Sequence, residues 1–74
     1  MSNFHSEVQV LRLCDVITIT GLSRSSIYNK INPKSSYYDK TFPKSFKLGL
    51  RVTGWLKADI EMWIKKSSLI AQNG

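Results

Sequence analysis

The chain has 74 residues, of which 42% are hydrophobic and 22% are charged, and this is the composition of one folded soluble domain. A domain of this length buries only about 60% of its unfolded surface, so it has little room for an enclosed active site. The single cysteine, Cys14, excludes an internal disulfide and is expected to be a small buried residue. No apolar run reaches the ~18 residues that span a bilayer, and residues 1–7 lack the basic and apolar regions of a signal peptide.

The net charge of +6 is concentrated in the middle of the chain. Residues 24–57 contain eight basic residues and one acidic residue, whereas the flanks contain three basic and four acidic residues. A charge gathered in this way attracts a polyanion such as a nucleic acid. A solvated basic surface that keeps a small protein in solution would have the same charge distribution. Charge alone therefore does not distinguish a nucleic-acid-binding surface from a solvated one.

Residues 1–9 are polar and are expected to form a flexible N-terminal tail. Residues 10–13 are predicted to be a short strand or an extended lead-in. Residues 14–20 are ambiguous, since their β-branched side chains favour a strand, whereas Val16 and Thr20 continue one stripe of a helix face. The sequence that follows favours the helix.

The segment around Gly21 predicts a helix-turn-helix. Gly21 is a typical C-terminal helix stop, and Ser23 is a good N-cap for a second helix. Ile27 and Ile31 lie one turn apart on the buried face of that helix. The helix is expected to end at residues 32–33 because proline disfavours helical geometry at the residue before it.

The second half of the chain is predicted to form a hairpin and a final helix. Residues 32–44 are a long connection, and alternation on both sides of Gly49 predicts a β-hairpin. The candidates for its inward side are Phe46, Leu48 and Trp55. The apolar stripe of the last helix consists of Leu56, Ile60, Trp63 and Ile64. We expect a folded domain over residues 10–67 and a C-terminal tail over residues 68–74.

This order of elements indicates an α+β, mostly α fold, a small winged helix-turn-helix with a β-hairpin wing and a C-terminal helix. Its second helix would enter the major groove of DNA, where Arg24 suits guanine and Asn29 suits adenine. Serine hydroxyls and Tyr28 are common phosphate contacts, and the hairpin tip would contact the flanking backbone or minor groove. The predicted DNA-binding residues are Ser23, Arg24, Ser25, Ser26, Tyr28, Asn29, Lys30, Lys44, Lys47 and Arg51.

Several of these side chains have other interpretations. Arg24 would also shield the helix surface, and Tyr28 would also pack its ring on the hairpin. Tyr37 and Tyr38 in the connection would either stack on bases or cover the hydrophobic core. The sequence contains no catalytic pair and no metal-ligand set at workable spacing, so we expect no enzyme activity, no metal site and no cofactor.

Several motifs resemble those of the AlpA family of small prophage transcriptional regulators. The most specific are Thr-Gly-Leu-Ser-Arg-Ser-Ser-Ile-Tyr at residues 20–28, Phe-Pro-Lys at residues 42–44 and Gly-Trp at residues 54–55. The pattern also includes Leu-Arg-Leu at residues 11–13, Asp-Val at residues 15–16, Phe-Lys-Leu-Gly at residues 46–49 and Ile-Glu-Met-Trp-Ile at residues 60–64. The resemblance covers about residues 10–65 and implies a fold similar to phage excisionases and to the N-terminal domain of MerR-type regulators. It also implies DNA contacts at residues 23–26, Tyr28 and Asn29, with the wing at residues 47–51.

The chain departs from the pattern of this family in three places, one of which is a first helix unusually rich in β-branched residues. Residues 32–41 make the connection longer than in many members, which would reposition the wing or add a contact surface. Asn29 stands where the family often has a basic residue, which favours base readout over a phosphate contact.

Together, these features predict a sequence-specific double-stranded DNA-binding protein of a prophage or integrated element, located in the cytoplasm at the nucleoid. It would regulate transcription, for example of an integrase gene, or act as an excisionase that bends DNA. The expected partners are double-stranded DNA, further copies of the protein on DNA, and integrase or RNA polymerase, with no membrane. The alternative is a protein-interaction module that binds and inhibits another regulator through the connection at Tyr37 and Tyr38.

Overall fold

The computed structural model of the protein describes residues 8–73, so most of the expected N-terminal tail lies outside the described residues. The elements in chain order are β1 (Val10–Leu11), α1 (Leu13–Thr20), α2 (Arg24–Ile31), β2 (Phe46–Lys47), β3 (Thr53–Leu56) and α3 (Lys57–Asn73). Within this part of the chain, three helices and one antiparallel sheet of three strands confirm the predicted α+β winged helix-turn-helix.

Helix α1 forms despite its β-branched side chains, as predicted. Val16 is fully buried, and the hydroxyls of Thr18 and Thr20 donate to the carbonyl oxygens four residues earlier, at 3.0 and 2.7 Å. Threonine is tolerated in a helix when its hydroxyl bonds to the preceding turn in this way. Before the first turn, the Asp15 carboxylate accepts the backbone N–H of Arg12 at 3.0 Å, which stabilises the start of the helix.

The turn between α1 and α2 contains both local signals that the sequence predicts. Gly21 has a left-handed φ of 76° and donates its N–H to the Ile17 carbonyl at 2.8 Å. The Ser23 side-chain oxygen accepts the N–H of Ser26 at 3.1 Å and so caps α2. Helix α2 ends at Ile31, before the proline, as expected.

The sheet has the order β1-β3-β2. Leu11 pairs with Trp55, and Phe46 pairs with Gly54. Because side chains alternate along a strand, Leu11 and Trp55 face the core and Phe46 faces the opposite side. The hairpin and the burial of Trp55 are confirmed. The prediction that Phe46 and Leu48 point inward is wrong, since they are 39% and 49% exposed.

Nearly every element contributes one side chain to the core. The buried members are Leu11, Val16, Ile27, Phe42, Trp55 and Ile60. The connection is fixed to this core by two contacts. The Pro43 carbonyl accepts the indole N–H of Trp55 at 3.2 Å, and Phe42 packs edge-on against Trp63 with 4.9 Å between ring centroids. Two adjacent residues of the connection therefore contact the hairpin and α3.

Helix α3 is longer than the sequence pattern indicates. The residues of its predicted stripe that pack in or against the core are Ile60, Trp63 and Ile64. Leu56 instead ends β3 and is 37% exposed, because strand alternation turns it away from the side that Trp55 occupies. The helix continues to Asn73, so residues 68–73 extend it. The domain boundary at residue 67 stays a prediction.

Candidate nucleic-acid interface

The exposed face of α2 lies opposite its buried residue, Ile27. The helical period places Ser25 and Asn29 near the middle of this face. Arg24 and Tyr28 lie along one edge of it. Tyr28 is 50% exposed, so its ring is not enclosed by the hairpin. The face therefore presents short polar side chains beside one cation and one aromatic ring.

The serines at the start of α2 differ in whether they take part in capping the helix. Ser23 accepts the N–H of Ser26 and donates its hydroxyl hydrogen to the Ser26 oxygen at 3.0 Å. Ser25 is exposed. Two of the three predicted serine contacts with DNA thus belong to side chains that also stabilise the helix start.

An open groove of about 430 Å³ lies between α2 and the hairpin. Arg24 and Tyr28 line it from α2, and Arg51 and Thr53 line it from the hairpin. No acidic side chain among the described residues lines this groove. The predicted recognition helix and the predicted wing therefore share one basic cleft.

The start of α1 forms a third wall of this groove. Arg12 and Cys14 both line it, and Cys14 is exposed. The expected burial of Cys14 is wrong because Val16, two residues away, takes the inward face of α1, and residues two apart point in different directions on a helix. Arg12 is not among the predicted DNA-binding residues because it belongs to a nearly neutral flank, and no local pattern relates it to the distant hairpin.

The hairpin tip presents Lys47 and Arg51 at the surface. The N–H of Leu48 donates to the Val52 carbonyl at 2.7 Å and closes the turn. Lys47 pairs with Thr53 across the strands, so these two side chains share the side of the hairpin that faces the groove. The wing is therefore basic on the side where α2 lies.

The connection, residues 32–44, folds back onto the opposite edge of the exposed face of α2. The Ser35 hydroxyl donates to Asn29 Oδ1 at 3.2 Å, and the N–H of Asp39 donates to the Lys30 carbonyl at 3.0 Å. Tyr37 is 73% exposed. A hollow of about 280 Å³ is lined by Ser26, Asn29, Lys30 and Tyr37. The longer connection thus adds an aromatic side chain to the α2 surface.

The Lys30 ammonium group makes two contacts within the protein. It lies 3.7 Å from the Asp39 carboxylate and 5.5 Å from the centroid of the Trp63 ring. Hydrogen bonds from the hydroxyl and N–H of Thr41, together with the nearby charge of Lys30, hold the pKa of Asp39 below its ordinary value. Lys30 and Lys44 line another hollow, of about 250 Å³, beside the connection. Neither lines the groove between α2 and the hairpin.

Within residues 8–73, no group of three or more His, Cys, Asp or Glu side chains is placed to hold a metal ion. No helix in the same range combines the length and apolar character needed to cross a membrane.

The fold and the basic groove between α2 and the hairpin define a small winged helix-turn-helix protein. The family described as prophage CP4-57 regulatory protein (AlpA) matches residues 9–68. The DNA-binding transcriptional activator AlpA of Escherichia coli (strain K12) is 47% identical over 64 residues, which cover 86% of this chain and 91% of that protein. The chain therefore belongs to the AlpA family, as the sequence motifs indicate. No solved structure matches the chain at a significant level.

Proposed function

We propose that the protein is a sequence-specific double-stranded DNA-binding transcriptional regulator of a prophage or integrated element, acting at the nucleoid in the cytoplasm. The observation that carries this proposal is the groove that Arg24 of α2 and Arg51 of the hairpin both line, with no acidic residue among the described residues that line it. The name of the E. coli relative, a DNA-binding transcriptional activator, supports the same class.

In this proposal α2 enters the major groove of the target. Ser25 and Asn29 contact base edges from the middle of the exposed face of α2. Arg24 contacts guanine from the edge of that face. Lys47 and Arg51 of the wing hold the flanking phosphates, which sets the register of the protein on the duplex. Lys30 stabilises the protein through Asp39 and Trp63 as well as adding positive charge.

The test is a binding titration of the full chain with a random duplex and with a duplex selected from a random pool. We expect the affinity to fall steeply with salt, because each neutralised phosphate contributes about −0.9 to the slope of log K against log salt concentration. The selected duplex should bind more tightly than the random one. Salt-independent affinity, or no binding at micromolar protein, would contradict the proposal.

Arg24→Ala tests the assignment within α2. We expect it to reduce the preference for the selected duplex by about 1–3 kcal/mol while weakening random-duplex binding less. The matched control is Lys65→Ala, since Lys65 is an exposed cation of α3 outside the grooves around α2. An equal loss on both duplexes would assign Arg24 to phosphates.

The biological role that we propose is regulation of a target such as an integrase gene, or excision through DNA bending. Bending a site costs on the order of 1–6 kcal/mol, which several bound copies would supply. Integrase or RNA polymerase would then be the protein partner. Circular-permutation gel shifts with a selected site measure the bend. A bend would support the excision role, and straight DNA with altered transcription of a neighbouring gene would support regulation alone.

The second candidate is a module that binds and inhibits another regulator, and it is favoured by the 73% exposure of Tyr37. It predicts that Tyr37→Ala leaves duplex binding unchanged and abolishes inhibition of the partner. The titration above separates the two functions, because this candidate does not require DNA binding.

A further inference from the structure

We propose that Arg12, at the start of α1, forms a phosphate-binding site with Arg51, beside the Arg24 side chain that contacts the base edge. The ligand is a backbone phosphate of the bound duplex, so the inference rests on the proposed function and adds a third element to the DNA contact. Neither the sequence motifs nor the family match assigns a role to this arginine.

The structure brings three arginine residues to one groove from three segments of the chain. Arg12 lines it from the start of α1, Arg24 from the start of α2 and Arg51 from the hairpin. The guanidinium group is planar and always charged, and its N–H donors match the geometry of phosphate oxygens. In this proposal the side chains of Arg12 and Arg51, which line a groove of about 430 Å³, donate to one phosphate.

The charges of this site are not neutralised within the described part of the chain. The ion pairs found there join Lys30 to Asp39 and Lys57 to Glu61, and neither involves an arginine. Asp15 is the acidic residue nearest to Arg12 in sequence, and its carboxylate accepts the backbone N–H of Arg12. That bond orders the backbone at the start of α1 and leaves the guanidinium for another partner.

A phosphate fits this position better than a base edge. In helix-turn-helix proteins the second helix occupies the major groove, while the first helix crosses the DNA backbone. Arg12 precedes the first helix, and Thr53 and Tyr28 also line the groove; hydroxyl side chains such as these are common phosphate contacts. The site would therefore hold the phosphate that lies between the major-groove contact and the wing.

The first experiment compares the salt dependence of Arg12→Ala with that of the wild type and of Lys65→Ala. Loss of one phosphate contact makes the slope shallower by about 0.9, so the wild type should lose roughly threefold more affinity than Arg12→Ala between about 50 and 200 mM salt. The effect should be equal on random and selected duplexes, and Lys65→Ala should keep the wild-type slope. Circular dichroism checks the fold, and Arg12→Gln, which keeps a polar side chain but removes the charge, should match Arg12→Ala.

A slope for Arg12→Ala equal to that of Lys65→Ala would overturn the inference while leaving the proposed function intact. A change of base preference would also overturn it, because a phosphate contact carries no sequence information. Absence of binding by the wild type would instead contradict the proposed function itself.

The second experiment uses the cysteine in the wall of the groove as a reporter in the wild-type protein. Cys14 is exposed in the free chain, so N-ethylmaleimide should modify it readily, as measured by intact mass. A saturating random duplex should slow this reaction at least several-fold because the bound backbone covers the groove. An unchanged rate at a duplex concentration that saturates binding would show that the groove faces away from DNA and would overturn the inference.

Discussion

The Ser35 hydroxyl donates a hydrogen bond of 3.2 Å to the Asn29 side-chain oxygen. This bond joins the connection to the middle of the exposed face of α2. It engages the Oδ1 atom of the Asn29 amide, and the Nδ2 group is therefore free to donate. An amide oriented in this way is suited to a purine acceptor such as N7.

Ser35→Ala should therefore relax base preference without changing general affinity. Because the amide loses one neutral hydrogen bond, we expect a reduction of about 1 kcal/mol, or roughly fivefold, in discrimination at the base pair that Asn29 contacts. Binding to a panel of single-base variants of a selected duplex measures this. Ser36→Ala, at an exposed neighbouring serine, is the control. An equal effect of the two substitutions would argue against a role for the Ser35 bond.

Gly54→Ala should destabilise the protein through a clash between strands. A Cβ at Gly54 would lie 2.6 Å from Val10 Cγ1 and 3.0 Å from Leu48 Cδ1, and overpacking of this kind typically costs about 1–3 kcal/mol. Urea unfolding measures the loss. Val10→Ala removes the closest atom, so Gly54→Ala should cost less in that background. Additive effects of the two substitutions would show that the contact with Val10 is not the cause.

Trp55→Phe should destabilise the fold more than Trp63→Phe does. Trp55 is 2% exposed and its indole N–H bonds the Pro43 carbonyl, so its loss leaves a carbonyl acceptor unpaired at a cost of about 1–3 kcal/mol. The indole N–H of Trp63 bonds the exposed Thr41 hydroxyl at 3.3 Å, which water can replace. Thermal unfolding of both variants provides the comparison. Equal losses would mean that ring size outweighs the hydrogen bond.

Asp39 should make stability depend on acid pH. Its pKa is lowered in the folded state, so its contribution is present above the ordinary Asp pKa of about 3.9 and is lost as pH falls through the lower folded value. Asp39→Asn should therefore lose less stability than the wild type between neutral pH and about pH 3. Urea unfolding across this range, with NMR titration of the Asp39 carboxyl, is the measurement. Parallel pH profiles for the two proteins would contradict the expectation.

The local elements were predictable because their signals act over one or two turns of chain. Gly21 has a left-handed backbone, Ser23 caps the next helix, and α2 ends before the proline. The same holds for the hairpin, whose turn lies around Gly49. These signals need no information about distant residues.

The faces of the hairpin were harder to predict. Alternation separates two sides of a strand but does not say which side meets the core. The pairing of Leu11 with Trp55 and of Phe46 with Gly54 decides this. It turns Phe46 to the surface, although its hydrophobicity favours burial.

The sequence by itself determined the family, the order of elements and the basic central segment, because motifs, caps and charges are properties of neighbouring residues. Only the tertiary structure decided which side chains share a groove. Arg12 lies in a flank without net positive charge, and yet it lines the same groove as Arg24 and Arg51. That proximity depends on the packing of α1, α2 and the hairpin around Val16, Ile27 and Trp55, which brings together segments that no local pattern connects.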